Sequence, residues 1–335
     1  MTEDLARRCT DLIVDLGLGR PSDVTEVTPL TGGVASDIAR VAVGGQSYCV
    51  KFALEKLRVA ADWRAPVHRS RAEYAWLSVV GRVAPGSAPE LHGFSETAHG
   101  FAMSFISGDD VRLWKTMLLE GRPIGDEAAR VAKVLGQVHA AGAAAGFDRS
   151  PFNNSADFHA IRVEPYLLFT AQRHRAVAPR LMQLAASLDA ARLTLVHGDV
   201  SPKNILFRGS QPIILDAECA SMGDPCFDVA FCLNHLILKS AHLPQSRARP
   251  RVAVLEFWQA YAPHIVWEDP AALEARTAEL LPALMLARVD GKSPVEYLTE
   301  FEQLWVRQSA LHLLHHPVER LSDLVSELSA NEITP

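Results

Sequence analysis

The sequence predicts an α+β fold of two lobes, a small β-rich half followed by a larger helical half, joined near residue 107. Three observations carry this. Between residues 24 and 53 the apolar residues alternate with the period of strands, whereas from residue 126 onward they recur at helical spacing. The 335 residues exceed one typical domain. A hydrophobic content of 48 % is enough for a sizeable core, so the chain is not a disordered one.

The elements follow in order. Residues 1–20 have the spacing of a short amphipathic helix that stops at Gly17–Gly19. "VTEVTPL", "IARVAV" and "SYCVKFA" read as strands, and Gly44-Gly45 between the last two is a hairpin signal. On the third strand Tyr48, Val50 and Phe52 share one face, and Cys49, Lys51 and Ala53 share the other. Lys51 therefore projects from a largely apolar strand. Residues 69–81 predict a helix with Ala72, Trp76 and Val79-Val80 on its apolar stripe. Glu73, one turn before Leu77, lies at the edge of that stripe. "FAMSFISGDD" (101–110) predicts a strand that breaks at Ser107-Gly108, and helices are expected over 126–146, 155–174 and 178–192.

The apolar run "LTLV" leads into "HGDVSPKN", which packs His197, Asp199, Lys203 and Asn204 beside a buried strand. Polar groups at such a place need partners or a task. "ILF" (205–207) and "PIIL" (212–215) flank a four-residue turn, "RGSQ". Paired as a hairpin, they set Asn204 opposite Asp216, with Asp199 close by. Oxygen ligands converging at one end of a hairpin suit Mg²⁺, which takes one or two carboxylates plus phosphate oxygens and water. Gly223-Asp224-Pro225 marks a helix start, and Asp228 falls in the very apolar helix that follows, where a carboxylate needs backbone N–H partners. Residues 244–335 read as helices ending in a polar tail.

A net charge of −6 and a pI near 6.1 leave no electrostatic footprint for a nucleic acid or an anionic membrane. Five cysteines without a CxxC argue against a disulfide framework or a zinc site and for a reducing compartment. The first residues carry no basic-then-apolar signal pattern, and no uncharged apolar run reaches the ~18 residues of a membrane span. The expectation is a soluble cytoplasmic protein without nucleic-acid or membrane partners. Oligomeric state is not readable. "GKS" (291–293) has Leu286 where the first glycine of a phosphate-binding P-loop falls, and no GxSxG elbow of a hydrolase occurs.

Asp199, Asn204 and Asp216, with Lys51 and Glu73 upstream, stand in the order of a kinase site. On these residues the chain resembles the aminoglycoside phosphotransferase and choline kinase family, small-molecule kinases with a protein-kinase-like fold. "HGDVSPKN" looks like the family's HGDxxxxN, and "LDAECASMGDPCFD" looks like its (I/L)D…GDPxxD. The resemblance covers roughly residues 28–240. A narrower likeness, over 50–73 and 162–175, is to methylthioribose kinases. The paired arginines those kinases use on the sugar have no counterpart there, since the adjacent pair in this chain is Arg7-Arg8.

The resemblance implies a transfer, dependent on ATP and Mg²⁺, of the γ-phosphate to a hydroxyl of a small molecule: an amino sugar, a sugar or an amino alcohol. It implies a nucleotide-binding lobe over residues 1–106 and a helical lobe with catalytic loop and substrate cleft over 107–335. Lys51 would hold the α- and β-phosphates and Glu73 would orient Lys51. Gly32 and Gly33 of "LTGGVASDIA" would let the backbone approach the nucleotide, and Met103 would open the adenine-binding segment 103–106. Asn204 and Asp216 would hold the metal. Asp199, with Asn204, would be catalytic, accepting or orienting the hydroxyl proton, and His197 and Asp228 would support the loop. Gly198 and Ser201 stand where protein kinases carry Arg and Lys. Two alternatives stay open at this point: a non-catalytic nucleotide-binding regulator of the same fold, and a protein kinase.

Overall fold

The structure is a computed structural model that describes residues 2–30, 36–54, 69–120, 125–243 and 248–330. The glycine loop with Gly32 and Gly33 lies outside them, as does most of the 50–73 stretch.

The amino-terminal part is an antiparallel five-stranded sheet. It comprises β1 (Val24–Pro29), β2 (Ser36–Val43), β3 (Gln46–Ala53), β4 (Leu91–Ser95) and β5 (Gly100–Ser104), in the order β1-β2-β3-β5-β4. Gly44 and Gly45, both at positive φ (56° and 87°), make the tight β2–β3 turn that only such residues adopt without strain. Strand alternation then sorts β3. Tyr48, Val50 and Phe52 pack with Cys9, Leu12 and Ile13 of helix α1 (Thr2–Asp15), while Cys49 joins Trp76, Phe101 and Met103 on the other face. Lys51, on that second face, pairs with Phe101 of β5. Helix α2 (Arg69–Val83) buries Trp76, Leu77 and Val80 against this sheet, and Glu73 with them.

The rest is mainly helical. It carries short strands β6 (Val111–Leu113), β7 (Thr194–Val196), β8 (Ile205–Arg208), β9 (Gln211–Ile214) and β10 (Ser221–Gly223), paired as β6-β8-β9 and β10-β7. The helices are α3 (Trp114–Leu119), α4 (Glu127–Ala143), α5 (Ser155–Phe158), α6 (Phe169–Arg173), α7 (Ala178–Ala190), α8 (Cys226–His242), α9 (Ala248–Tyr261), α10 (Pro270–Asp290), α11 (Glu300–His315) and α12 (Leu321–Ala330). Residues 226–241 of α8 are all buried, so this helix is the axis of the helical part. Among the described residues no helix is long and apolar enough to cross a membrane.

Three expectations change. The helix expected over 155–174 is α5, then a π-helix from His159 to Leu168, then α6. Pro165 has no N–H to offer the carbonyl of Ile161 one α-turn back, so the α ladder cannot run through it. The turn between β8 and β9 is two residues, Gly209-Ser210, rather than four, because Arg208 pairs with Gln211. The hairpin register is also one residue from that expected: Ile205 pairs with Ile214, and the Leu215 N–H donates to the Asn204 carbonyl at 2.9 Å. Asn204 thus faces Leu215. Asp216 follows at φ 67°, in the left-handed region, where the chain leaves the strand direction.

Candidate active site

The described site residues meet where the sheet and α2 face the loop after β7. Lys51 Nζ lies 2.8 Å from Glu73 Oε1 and 2.7 Å from Oε2, and it also bonds Asp216 Oδ1. Lys51 and Glu73 are 3 % and 2 % exposed, so their charges are desolvated and depend on each other. Burial works against the Lys51 ammonium, but Asp216 and Glu73 outweigh it and raise its pKa. Burial pushes Glu73 up to about 7 despite Lys51. Beside this pair, Arg69 Nε bonds Glu218 Oε2 at 3.0 Å and Arg69 Nη2 donates to the Leu54 carbonyl at 2.6 Å. Sequence reading gave Arg69 no role.

Among the described residues Lys51 and Arg69 bond three carboxylates, Glu73, Asp216 and Glu218, and Lys203 also acts on Asp216. Asn204 Nδ2 donates to the Asp199 carbonyl at 3.1 Å, while its Oδ1 takes no hydrogen bond among the described residues. An amide oxygen beside a carboxylate is a hard, all-oxygen donor set, which fits magnesium and not a soft metal. The residues present therefore fit the ion that the resemblance implies.

A cleft of ≈ 400 Å³ opens from this cluster. Ile38, Cys49, Met103, Phe105, Ile106 and Leu206 form its apolar walls, and Lys51, Asn204 and Asp216 stand at its polar end. An apolar slot with few convergent polar groups has the form of a small-ligand site.

The loop carrying Asp199 is clamped from beneath. Asp228, fully buried at the start of α8, accepts from the His197 N–H at 2.6 Å and the Gly198 N–H at 2.8 Å. His139 Nε2 lies 3.2 Å from the same carboxylate, and its Nδ1 is 2.6 Å from the Tyr261 hydroxyl. His197 Nδ1 accepts the Asp199 N–H at 3.0 Å, so Nε2 carries the proton and donates to the Leu215 carbonyl at 3.0 Å. Burial lowers the His197 pKa and keeps that neutral tautomer. Trp76 meets the ring edge-on at 4.6 Å, joining α2 to the loop. Gly198 sits at φ 79°, and a Cβ there would fall 2.8 Å from Cys219 Cβ. The position where protein kinases carry arginine has no room for any side chain here.

A guanidinium reaches Asp199 by another route. Arg162, on the π-helix, lies 3.1 Å from Asp199 Oδ2 through Nη2, and its Nε donates to the Gly198 carbonyl. Its Nη1 donates at 2.9 Å to the Ile161 carbonyl, the group that Pro165 leaves without its α-helical partner. Lys203 Nζ, on an exposed side chain, is 3.1 Å from the same Asp199 oxygen. Burial works against the Asp199 charge, yet Lys203 and Arg162 outweigh it and hold the pKa below the usual carboxylate range. Farther along the helical part, Asp290 is held by Arg307 and His174.

The sequence model of the phosphotransferase enzyme family matches residues 26–275. No curated protein matches the chain. Solved structures share its fold at low identity. A choline/ethanolamine kinase family protein from Mesorhizobium loti is 16 % identical with a TM-score of 0.53, covering 100 % of this chain and 96 % of its own. The amicoumacin kinase hAmiN, in complex with AMP-PNP, Ca²⁺ and Ami, is 13 % identical with a TM-score of 0.55, over 97 % and 100 %. An ethanolamine kinase from Plasmodium vivax is 11 % identical with a TM-score of 0.52, over 96 % and 87 %.

Proposed function

The chain belongs to the phosphotransferase enzyme family, and on that premise we propose that it transfers the γ-phosphoryl group of ATP, with Mg²⁺, to a hydroxyl of a small molecule. The observation that carries this reading is the buried Lys51–Glu73 ion pair, joined to Asp216 at the polar end of an apolar cleft. Residues 1–106 serve as the nucleotide lobe and 107–335 as the acceptor lobe. The adenine lies between Ile38 and Leu206, against the segment from Met103 to Ile106. The α- and β-phosphates compete with Asp216 for Lys51, which Glu73 holds in place. Asn204 and Asp216 hold magnesium, which when bound neutralises charge on the phosphate oxygens.

In the reaction the acceptor oxygen bonds to the γ-phosphorus, the bond from that phosphorus to the β,γ-bridging oxygen breaks, and the hydroxyl proton leaves. Asp199 receives that proton. Two cations keep Asp199 a weak base, so its task is chiefly to fix the hydroxyl in line and accept the proton as the new P–O bond forms. Asp228 and His197 keep the loop rigid enough for that geometry. The test is calorimetric titration with Mg-ATP, followed by an ATP-consumption screen across sugars, amino sugars, amino alcohols and hydroxy acids. Absence of Mg-nucleotide binding overturns the reading.

A further inference from the structure

Helix α8 carries a line of side chains away from the catalytic loop. Asp228 anchors the loop, and Phe231, His235 and Lys239 follow at spacings of three and four on one helical face. His235 lies about 10 Å and Lys239 about 16 Å along the axis from Asp228. Contacts tie this line to Asp199. Arg162, on Asp199, lies 6.0 Å from the Phe231 ring centroid. Phe231 meets the His235 ring at 5.4 Å and the Tyr166 ring at 5.5 Å. The Tyr166 hydroxyl accepts from Arg288 Nη1 at 3.2 Å. Lys239 Nζ donates to the Tyr297 hydroxyl at 3.2 Å.

The far end of this line is cationic, and among the described residues neither Lys239 nor Arg288 bonds a carboxylate. Lys239 is 1 % exposed and His235 7 %. Buried cations in folded proteins ordinarily meet carboxylates. Among the described residues Lys239 has Tyr297 as its hydrogen-bond partner, and Arg288 has Tyr166 and Ser293. Arg288 Nε is buried with no partner among those residues. Glu296 is engaged by Lys115 at 2.5 Å. The groups acting on Lys239 are Lys115 from α3, Arg288 from α10, Glu296 and Tyr297 from the segment after α10, and His235 on its own helix. Burial, with Lys115 and Arg288, pulls the Lys239 ammonium down to about 7. Burial and the surrounding cations also push His235 well below its usual range.

We propose that this end is the specificity site for the acceptor, and that the hydroxy compound presented to Asp199 carries an anionic group, a carboxylate or a phosphate, held by Lys239, Arg288 and His235. The proposal rests on the phosphotransferase reading and adds the charge class of the substrate. An ammonium-bearing acceptor meets like charge at this end, and a neutral one leaves Lys239 and Arg288 with neutral hydroxyl and carbonyl partners in place of an anion. A bound anion also draws Lys239 to its charged form, so binding near neutral pH takes up protons.

The test has two arms. In the first, calorimetry follows gluconate and inorganic phosphate binding in buffers of different ionisation enthalpy. Binding with net proton uptake is expected, weakened roughly 10- to 100-fold by Lys239→Met. In the second, Mg-ATP consumption is compared for gluconate, glucose 6-phosphate, glucose and glucosamine. Gluconate or glucose 6-phosphate is expected to exceed the neutral and cationic sugars in kcat/KM, and Arg288→Met is expected to shrink that advantage through KM. The two acids separate carboxylate from phosphate recognition. Thermal melts confirm that each variant is folded. If neither anion binds, or if Lys239→Met and Arg288→Met leave the preference unchanged, the proposal falls while wild-type Mg-ATP binding keeps the phosphotransferase reading. Loss of Mg-ATP binding in the wild type overturns both.

Discussion

Arg162 Nη2 lies 3.1 Å from Asp199 Oδ2, while Nε of the same guanidinium holds the Gly198 carbonyl. One side chain thus fixes both the carboxylate and the peptide that presents it. If the carboxylate is the active form, Arg162 sets where activity begins on the acid side. Arg162→Gln removes a cation that lowers the Asp199 pKa, so the acid limb of kcat/KM moves to higher pH. A pH profile on a confirmed acceptor measures this. An unmoved limb would remove Arg162 from the positioning role.

Asp199→Asn keeps the shape of the side chain and loses its basicity. The turnover rate is expected to fall about 100- to 10,000-fold, with Mg-ATP affinity changed little. Single-turnover kinetics and calorimetry on the same sample separate the two effects. Turnover within a few-fold of wild type would show that Asp199 does not face the reacting hydroxyl.

Asp228→Asn tests the clamp. Its carboxylate accepts two backbone N–H groups and faces His139, with no water access. An amide there turns a donor toward donors and leaves buried groups unpaired. The cost is about 2–4 kcal/mol in urea unfolding, together with a lower kcat because the Asp199 loop loses its support. Unchanged stability would mean that the loop holds itself.

Lys239 links stability to pH. Its pKa is about 7 in the folded chain against an ordinary 10.5. Between those values the unfolded chain binds a proton that the folded chain does not, so stability rises with pH across that window. Lys239→Met abolishes this slope. The variant is expected to be more stable by roughly 2–5 kcal/mol at pH 7 and below, with the gain shrinking to nothing toward pH 10.5. Urea melts across the window decide it, and a gain independent of pH would place the effect in packing instead of charge.

Much of the fold was legible because it depends on local period. The alternation on β3 put Lys51 opposite Tyr48, Val50 and Phe52, and the helical stripe of α2 put Glu73 at its edge. What escaped depends on contacts across the chain or on backbone that leaves regular geometry. Arg69 and Arg162 find their carboxylates 149 and 37 residues away in sequence, and no local pattern states such pairings. The Asn204 register differed because the turn holds two residues and Asp216 bends away at positive φ. Apolar spacing over ten residues cannot tell a π-helix from an α-helix, although Pro165 was a visible warning. Lys239 was a visible signal too: a lysine on the apolar face of an otherwise oily helix.

The π-helix gives the chain a phase to keep. Each residue in a helix advances the side chains by about 100° around the axis. The wider turn from His159 to Leu168 advances each residue by less than that. The same residues wound as an α-helix would therefore turn Arg162 about the axis relative to α6 and away from Asp199, and Pro165 is what blocks that winding. The wide turn thus acts as an angular offset, and its loss would read out as a misaimed guanidinium in a helix that is still well formed.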